Sequence, residues 1–455
     1  MAFLQARLVI ALRQVGQSVR RTLRLPSGRC GVRSARAIAR SAAAPVFVAA
    51  MVCTGLAPAC AAPSTEAIVR RYVAAQGTLN IRGKVLTVHP TPSAVRTTSR
   101  RVVKRADGRS LSVFEAPTSQ KGVILADDGA WTRKYDPSER VVRKKRALEL
   151  HGGSSDTKLA RLILRNYRVQ HEGLEAVAGR QCHRLRFQPR TERNLTVRIW
   201  TDKANGAELR RDELDGSGST ICIVMYTSVS FPSRIPLSEV TPRFPRGARV
   251  ECVSRSGVRQ SVADLSKAAG FQVRAPLLMP SGFTFVAGAA ASIAGRTSVF
   301  LRYTDGLSDL TIVEAPAQRR SGLPSRSARV LPRPYGEVEV DYALDGLQVV
   351  ILGRGNAREL VEAAEALDPR REKAWRSEVG RTFNGASHAV TAMRNRGLTG
   401  DTVVALLTLS SHTGKAADVV MRSYLDGWCW RDLARRWRVP EATIDRAVQA
   451  LSMRE

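Results

Sequence analysis

Six histidines, His89, His151, His171, His183, His388 and His412, are the side chains best suited to move protons or bind a metal ion near neutral pH. Their spacing puts no two of them on one helix face beside a carboxylate. No serine sits in a strand-to-helix nucleophile elbow, and no carboxylate pair stands apart for acid–base work. The run from Leu347 to Arg358 starts like a dinucleotide-binding turn, with Gly353 and Gly355 in place. However, Arg358 stands where the third glycine belongs, and no βαβ unit surrounds it. A plain strand-to-helix turn is the better reading. The sequence supports no catalysis, and it calls for no cofactor and no metal.

The cysteines agree. Cys30, Cys53 and Cys60 lie in or beside an N-terminal leader, and Cys182, Cys222, Cys252 and Cys429 have neither zinc-ligand nor redox-motif spacing. Buried free thiols are expected, with one Cys182–Cys222 bond left open in an oxidising compartment. Asn194-Leu-Thr196 matches a glycosylation sequon at the start of a strand, where a chance match is the simpler reading.

Trp430 to Ile444 has the outline of a helix-turn-helix, with Ala434 where two helices would cross and Val439 and Ile444 apolar. Arg438 occupies the turn position that glycine usually takes, and Glu441 and Asp445 would face phosphate. A packing or partner-docking module is favoured over DNA binding.

The formal net charge is +32, which favours an anionic surface or an acidic partner without choosing between them. Residues 1–61 carry nine arginines and no acid, leaving roughly +23 on the remainder. The basic run, the apolar stretch from Ala42 to Gly55, and Ala59 and Ala61 at the −3 and −1 positions read as an export signal cut near Ala61. An uncleaved membrane anchor is the alternative.

These features need elements to position them. A helix capped at Ser64 to Glu66 runs to about Ala75, and β-rich segments separated by Asp107-Gly108, Asp128-Gly129 and Asp136-Pro137 follow. A helix over Thr157–Asn166 interrupts them. Three strands then span Arg198 to Phe231, broken at Asn205-Gly206 and Asp215-Gly216. The last of the three is apolar on both faces, with Ile221, Ile223 and Met225 on one and Cys222, Val224 and Tyr226 on the other, so cover is expected on both sides. Expected boundaries are a leader over 1–61, a β-rich domain over 62–231, a proline-rich linker over 232–258, a small α+β domain over 259–368, and a charged linker with a helical module over 369–455. Gln318–Pro334 reads as a polar, arginine-rich loop.

In order and spacing, Arg82-Gly-Lys-Val-Leu-Thr-Val88, the Arg198–Phe231 meander with Trp200-Thr-Asp202, Pro280-Ser-Gly-Phe283 and Tyr303-Thr-Asp-Gly-Leu-Ser308 resemble the RseB/MucB family of periplasmic stress regulators. The resemblance covers about residues 65–368. It implies an α+β fold: a curved antiparallel LolA-like half-barrel sheet with helices around an apolar cavity, then a second small α+β domain. It further implies binding to the periplasmic part of a membrane anti-sigma factor and release when lipopolysaccharide or mislocalised lipoprotein is bound. The long leader, the Gln318–Pro334 insertion and the C-terminal helices depart from the family pattern.

Candidate cavity residues are Trp131, Tyr135, Trp200, Ile223, Met225 and Tyr226, which are large and placed on the expected sheet. Arg96, Arg100, Arg101 and Lys104 form a candidate anion-binding surface for lipid phosphates. Tyr303, Asp305 and Gly306 are candidate partner-binding residues. The reading is an exported, non-enzymatic regulator with an anti-sigma partner and an anionic lipid or lipoprotein acyl ligand. A LolA-type carrier and a membrane-anchored regulator with DNA-binding C-terminal helices stay open as alternatives.

Overall fold

Short runs alternating apolar and polar residues, punctuated by turn dipeptides that accept positive φ, fold as the strands of one large sheet. The computed structural model describes residues 63–91, 94–146, 156–190, 195–253, 259, 261–280, 282–293, 296–317, 324–333, 337–354 and 356–452. The expected leader and the Asn194 sequon lie outside the described residues.

The large sheet contains β1 (Ile81–Thr91), β2 (Ala94–Lys104), β3 (Ser110–Ala116), β4 (Ile124–Asp127), β5 (Trp131–Asp136) and β6 (Val141–Arg146). It continues with β7 (Tyr167–Val177), β8 (Arg180–Pro189), β9 (Thr196–Asp202), β10 (Glu208–Leu214), β11 (Thr220–Ser230) and β12 (Arg249–Val253). Their spatial order is β12-β6-β5-β4-β3-β2-β1-β11-β10-β9-β8-β7, so β1 pairs with the distant β11. Neighbours are antiparallel except β12, which joins β6 in parallel.

One face of this sheet carries helices. The turn-spaced Ile68, Val69, Tyr72 and Val73 of α1 (Thr65–Ala75) and Ala160 and Ile163 of α2 (Asp156–Asn166) pack with Leu185, Phe187, Val197 and Ile199 of β8 and β9. Each large side chain so buried contributes about 1.5–3 kcal/mol. The opposite, outer face changes character along the sheet. Across β7–β10 it is a charge ladder, with Arg184 bridging Glu172 and Glu175, and Arg210 donating two bonds to Asp212. Across β11, β1, β2 and β3 it carries a half-buried apolar strip, with Ile223, Met225, Leu86, Val103, Leu111 and Val113, edged by Arg82, Lys84 and Arg101.

That contrast corrects the expected double cover of β11. Cys222 and Val224 on the helix-covered face are buried, whereas Ile221, Ile223 and Met225 stay partly open.

The expected linker is also more structured than its prolines imply. Residues 232–247 cross the outer face as a strap from β11 to the β6 edge. The side chain of Asn80 donates to Ser233 O at 2.8 Å, Ile235 and Val240 are buried, and a helical turn, α3 (Leu237–Val240), packs on β2 and β3. Phe244 meets Tyr135 of β5 at 6.1 Å between ring centroids, and β12 follows. Proline suits such a strap because it presets an extended backbone and leaves fewer N–H groups to satisfy.

A second sheet has the order β13-β14-β15-β18-β17-β16, entirely antiparallel: β13 (Thr284–Ile293), β14 (Arg296–Thr304), β15 (Asp309–Pro316), β16 (Ala328–Pro332), β17 (Val338–Leu344) and β18 (Leu347–Gly353). Strand β16 lies within the stretch expected to be a loop. Its one arginine fits an edge strand: Arg329 pairs with Asp341 of β17. Helices α4 (Val262–Ala269) and α5 (Ala357–Glu365) share this sheet's core.

The C-terminal segment holds α6 (Pro369–Thr382), α7 (Ser387–Asn395), α8 (Gly400–Thr413), α9 (Ala417–Leu425), α10 (Trp430–Arg436) and α11 (Glu441–Leu451). Pro369–Thr382, expected as charged linker, is helical because Asp368 caps it, Pro369 begins it, and Trp375 and Val379 bury one side beneath a charged exterior. From Val403 to Leu409, α8 is buried all round and forms the axis of the module. No described helix is long and apolar enough to cross a membrane.

Candidate binding surfaces

The two sheets and the helical module meet on α2. At its end, Asn166 donates to Gly282 O at 2.9 Å and Asp305 O at 2.8 Å, and the adjoining Tyr167 hydroxyl donates to the Asp305 carboxylate at 2.6 Å. Gly306, at φ +103°, sits so close that an added Cβ would lie 2.8 Å from Ile163 Cγ1. Near the start of α2, Lys158 donates to Leu425 O at 2.9 Å, and Arg161 covers the Trp428 ring, which Arg436 also approaches.

Leu307, at the tip of the β14–β15 turn, inserts into the core of the first sheet beside Tyr167, Phe187, Val197 and Ile199. A polar chain runs alongside. Tyr72 donates to Glu208 at 2.8 Å, and Arg211 bridges Glu208 and Glu213 while donating to Leu307 O at 2.6 Å. Glu213 then pairs with Arg354, just beyond β18, and both are buried. Burial raises the Asp305 carboxyl above its usual range, opposed by the Tyr167 hydroxyl and the N–H groups of Ser308 and Leu307.

Trp131, Tyr135, Trp200, Ile223 and Met225 share the outer face, but four strands separate β5 from β11, and β10 separates Trp200 from it. Trp131 lies under Lys144, Tyr135 under the strap, and Trp200 between Arg210 and Glu175. They are not walls of one cavity. Only Ile223 and Met225 adjoin the apolar strip of the outer face. Tyr226, one residue on, faces the helix-covered side, and burial pushes its hydroxyl up to about 12.

Arg96, Arg100 and Lys104 share that covered face, while Arg101 points to the outer one. Arg100 is 7% exposed and lies over the Phe114 ring, so the four cations are not one solvated surface. Strand alternation splits Arg100 from Arg101. Tyr303 and Asp305 are fully buried, and Asp305 and Gly306 are engaged within the chain at the α2 joint, so they offer no free partner surface.

The four described cysteines are free; Cys182 and Cys222 face opposite sides of the sheet, which rules out the bond considered from sequence. Strand pairing brings His171 and His183 to 3.1 Å between ring nitrogens, unseen in their spacing. No described group of three or more His, Cys, Asp or Glu is placed to hold a metal ion. In the helix-turn-helix outline, Arg431 and Arg435 of α10 pair with Glu441 and Asp445 of α11, and Arg438 sits at φ +58°.

Residues 74–244 match the family model described as the MucB/RseB N-terminal domain. Over these residues the chain is similar to that domain. The matched stretch runs from the end of α1 through the strap, and so includes both faces described above. A crystal structure of MucB in complex with MucA(peri) is similar at 16% identity, over 66% of this chain and 97% of that one, with a TM-score of 0.42. The Pseudomonas aeruginosa MucA/MucB complex is similar at 16% identity, over 66% and 96%, also at 0.42. A LolA superfamily protein from Nitrosomonas europaea is similar at 14% identity, over 40% and 99%, at 0.22. No curated protein matches the chain.

The joint residues Asn166, Arg211, Glu213, Leu307 and Arg354 escaped sequence reasoning. One signal was available: Leu307 is an apolar side chain at the tip of an Asp-Gly turn, where a solvated tip would be polar.

Proposed function

We propose that this protein is an exported regulator of an extracytoplasmic stress sigma factor, which binds the extracytoplasmic segment of a membrane anti-sigma factor and responds to lipid or lipoprotein acyl chains. The match of residues 74–244 to the MucB/RseB N-terminal domain carries this reading. The lipid part is supported by the seat of Leu307, an apolar site on the helix-covered face filled by a turn from the second sheet. An acyl chain competing for that seat would push out the turn and loosen the α2 joint. A ligand shifts an equilibrium only by its differential affinity for the two arrangements, and competition for one seat supplies that difference.

The test is co-purification of the tagged full chain from envelope extract. An anti-sigma protein among the captured species, lost on adding acylated lipoprotein, is the expected result. Capture of acylated lipoproteins alone would favour a LolA-type carrier and overturn the regulatory reading.

A further inference from the structure

The strap and the outer face enclose an open groove of about 590 Å³ on the side of the sheet away from α1 and α2. This lies within the range of about 300–1,000 Å³ typical of small-ligand sites. Its floor is apolar, formed by Val103, Leu111 and Val113, whose alternation points all three outward. Its rim is cationic. At one end Lys84 and Arg101 converge on a single carboxylate, Glu115, at 3.3 and 4.0 Å. At the other, Arg82 pairs with Glu239 of the strap at 2.7 Å.

We infer that this groove binds a single-chain anionic amphiphile, with the acyl chain along Val103, Leu111 and Val113 and a phosphate headgroup between Lys84 and Arg101. The inference extends the lipid part of the function proposed above to a second site and does not depend on an anti-sigma partner. Two cations closing on one carboxylate at an apolar trough have the charge pattern a phosphomonoester needs, and Glu115 holds the place an incoming headgroup would take. Lys84 and Arg101 are 55% and 63% exposed, so a ligand reaches them without unfolding the sheet. The exposed pairs with Glu115 are weak and are readily exchanged for a doubly charged group. Ile223, Met225 and Leu86 continue the apolar strip along β11 and β1, giving a longer chain room to extend.

The experiment measures binding of monomeric myristoyl lysophosphatidic acid to the purified full chain, beside monomyristoylglycerol and inorganic phosphate. Saturable binding of the lysophosphatidate, at least tenfold tighter than the neutral glyceride, and no binding of phosphate alone are expected. The double variant Lys84→Ser, Arg101→Ser should lose that preference while keeping the parent's thermal midpoint, since both side chains are exposed. Glu115→Gln should tighten binding severalfold by removing the competing charge. Unchanged lysophosphatidate affinity in the double variant, weaker binding in Glu115→Gln, or phosphate binding as tightly as the amphiphile would each overturn the inference. Lysophosphatidate binding of the expected kind in a chain that captures no anti-sigma protein would keep the inference and remove the regulatory reading.

Discussion

The hydroxyl of Tyr167, the first residue of β7, donates to the carboxylate of Asp305 in the β14–β15 turn at 2.6 Å, with both groups buried. This bond ties the large sheet to the second one, and the polar chain through Arg211, Glu213 and Arg354 runs parallel to it. Removing the donor leaves a buried carboxylate short of one partner. Tyr167→Phe should therefore lose about 1–3 kcal/mol in urea denaturation. An unchanged midpoint would mean the joint is open in solution.

Leu307 fills an apolar seat in a sheet it does not belong to. Leu307→Ala should destabilise the chain by about 2–5 kcal/mol, the range for emptying a buried leucine site. If acyl chains compete for the seat, the same variant should bind a myristoyl lipid more tightly than the parent does. Weaker binding would show that Leu307 is part of the lipid site and not its competitor.

Glu314 of β15 is 1% exposed and accepts the Arg274 N–H, and burial pushes its carboxyl up to about 8 despite that bond. The folded state thus favours the protonated acid. Its contribution is present below the unfolded carboxylate range and is lost as pH rises through about 8. Denaturation midpoints should fall between pH 5 and pH 9, by an amount on the order of 4 kcal/mol from this group. Glu314→Gln, which keeps an acceptor for Arg274, should flatten that slope. A slope identical in the variant would assign it to other groups.

Trp428 lies between Arg161 of α2 and Arg436 of α10 and joins the helical module to the large sheet's helix. Trp428→Ala should cost about 1–2 kcal/mol and speed hydrogen exchange in α2 and α9 together. Faster exchange in α9 alone would show that the module does not brace α2.

Much of this architecture was legible in period and punctuation. The β9–β10–β11 meander followed from Asn205-Gly206 and Asp215-Gly216, and the start of α1 from Ser64 to Glu66, because turns and caps are set by neighbouring residues. What escaped depends on contacts distant in sequence. Whether Ile223 is covered depends on a strap whose path its prolines do not specify, and Asp305 reads as an exposed turn acid until Tyr167 is brought beside it. Likewise, Arg100 and Arg101 look like one basic patch in sequence and are divided by the pleat. The two apolar faces of β11 are legible as residue types. Its outer face, however, is left partly open beside the groove.

The central claim is a complex with an anti-sigma factor. Its most direct test is calorimetric titration of the purified full chain with the extracytoplasmic segment of the anti-sigma factor from the same organism. Saturable binding, weakened when an acylated lipoprotein peptide is added, is the predicted result. No heat of binding at micromolar concentrations, with the chain folded and still able to bind the acylated peptide, would contradict it.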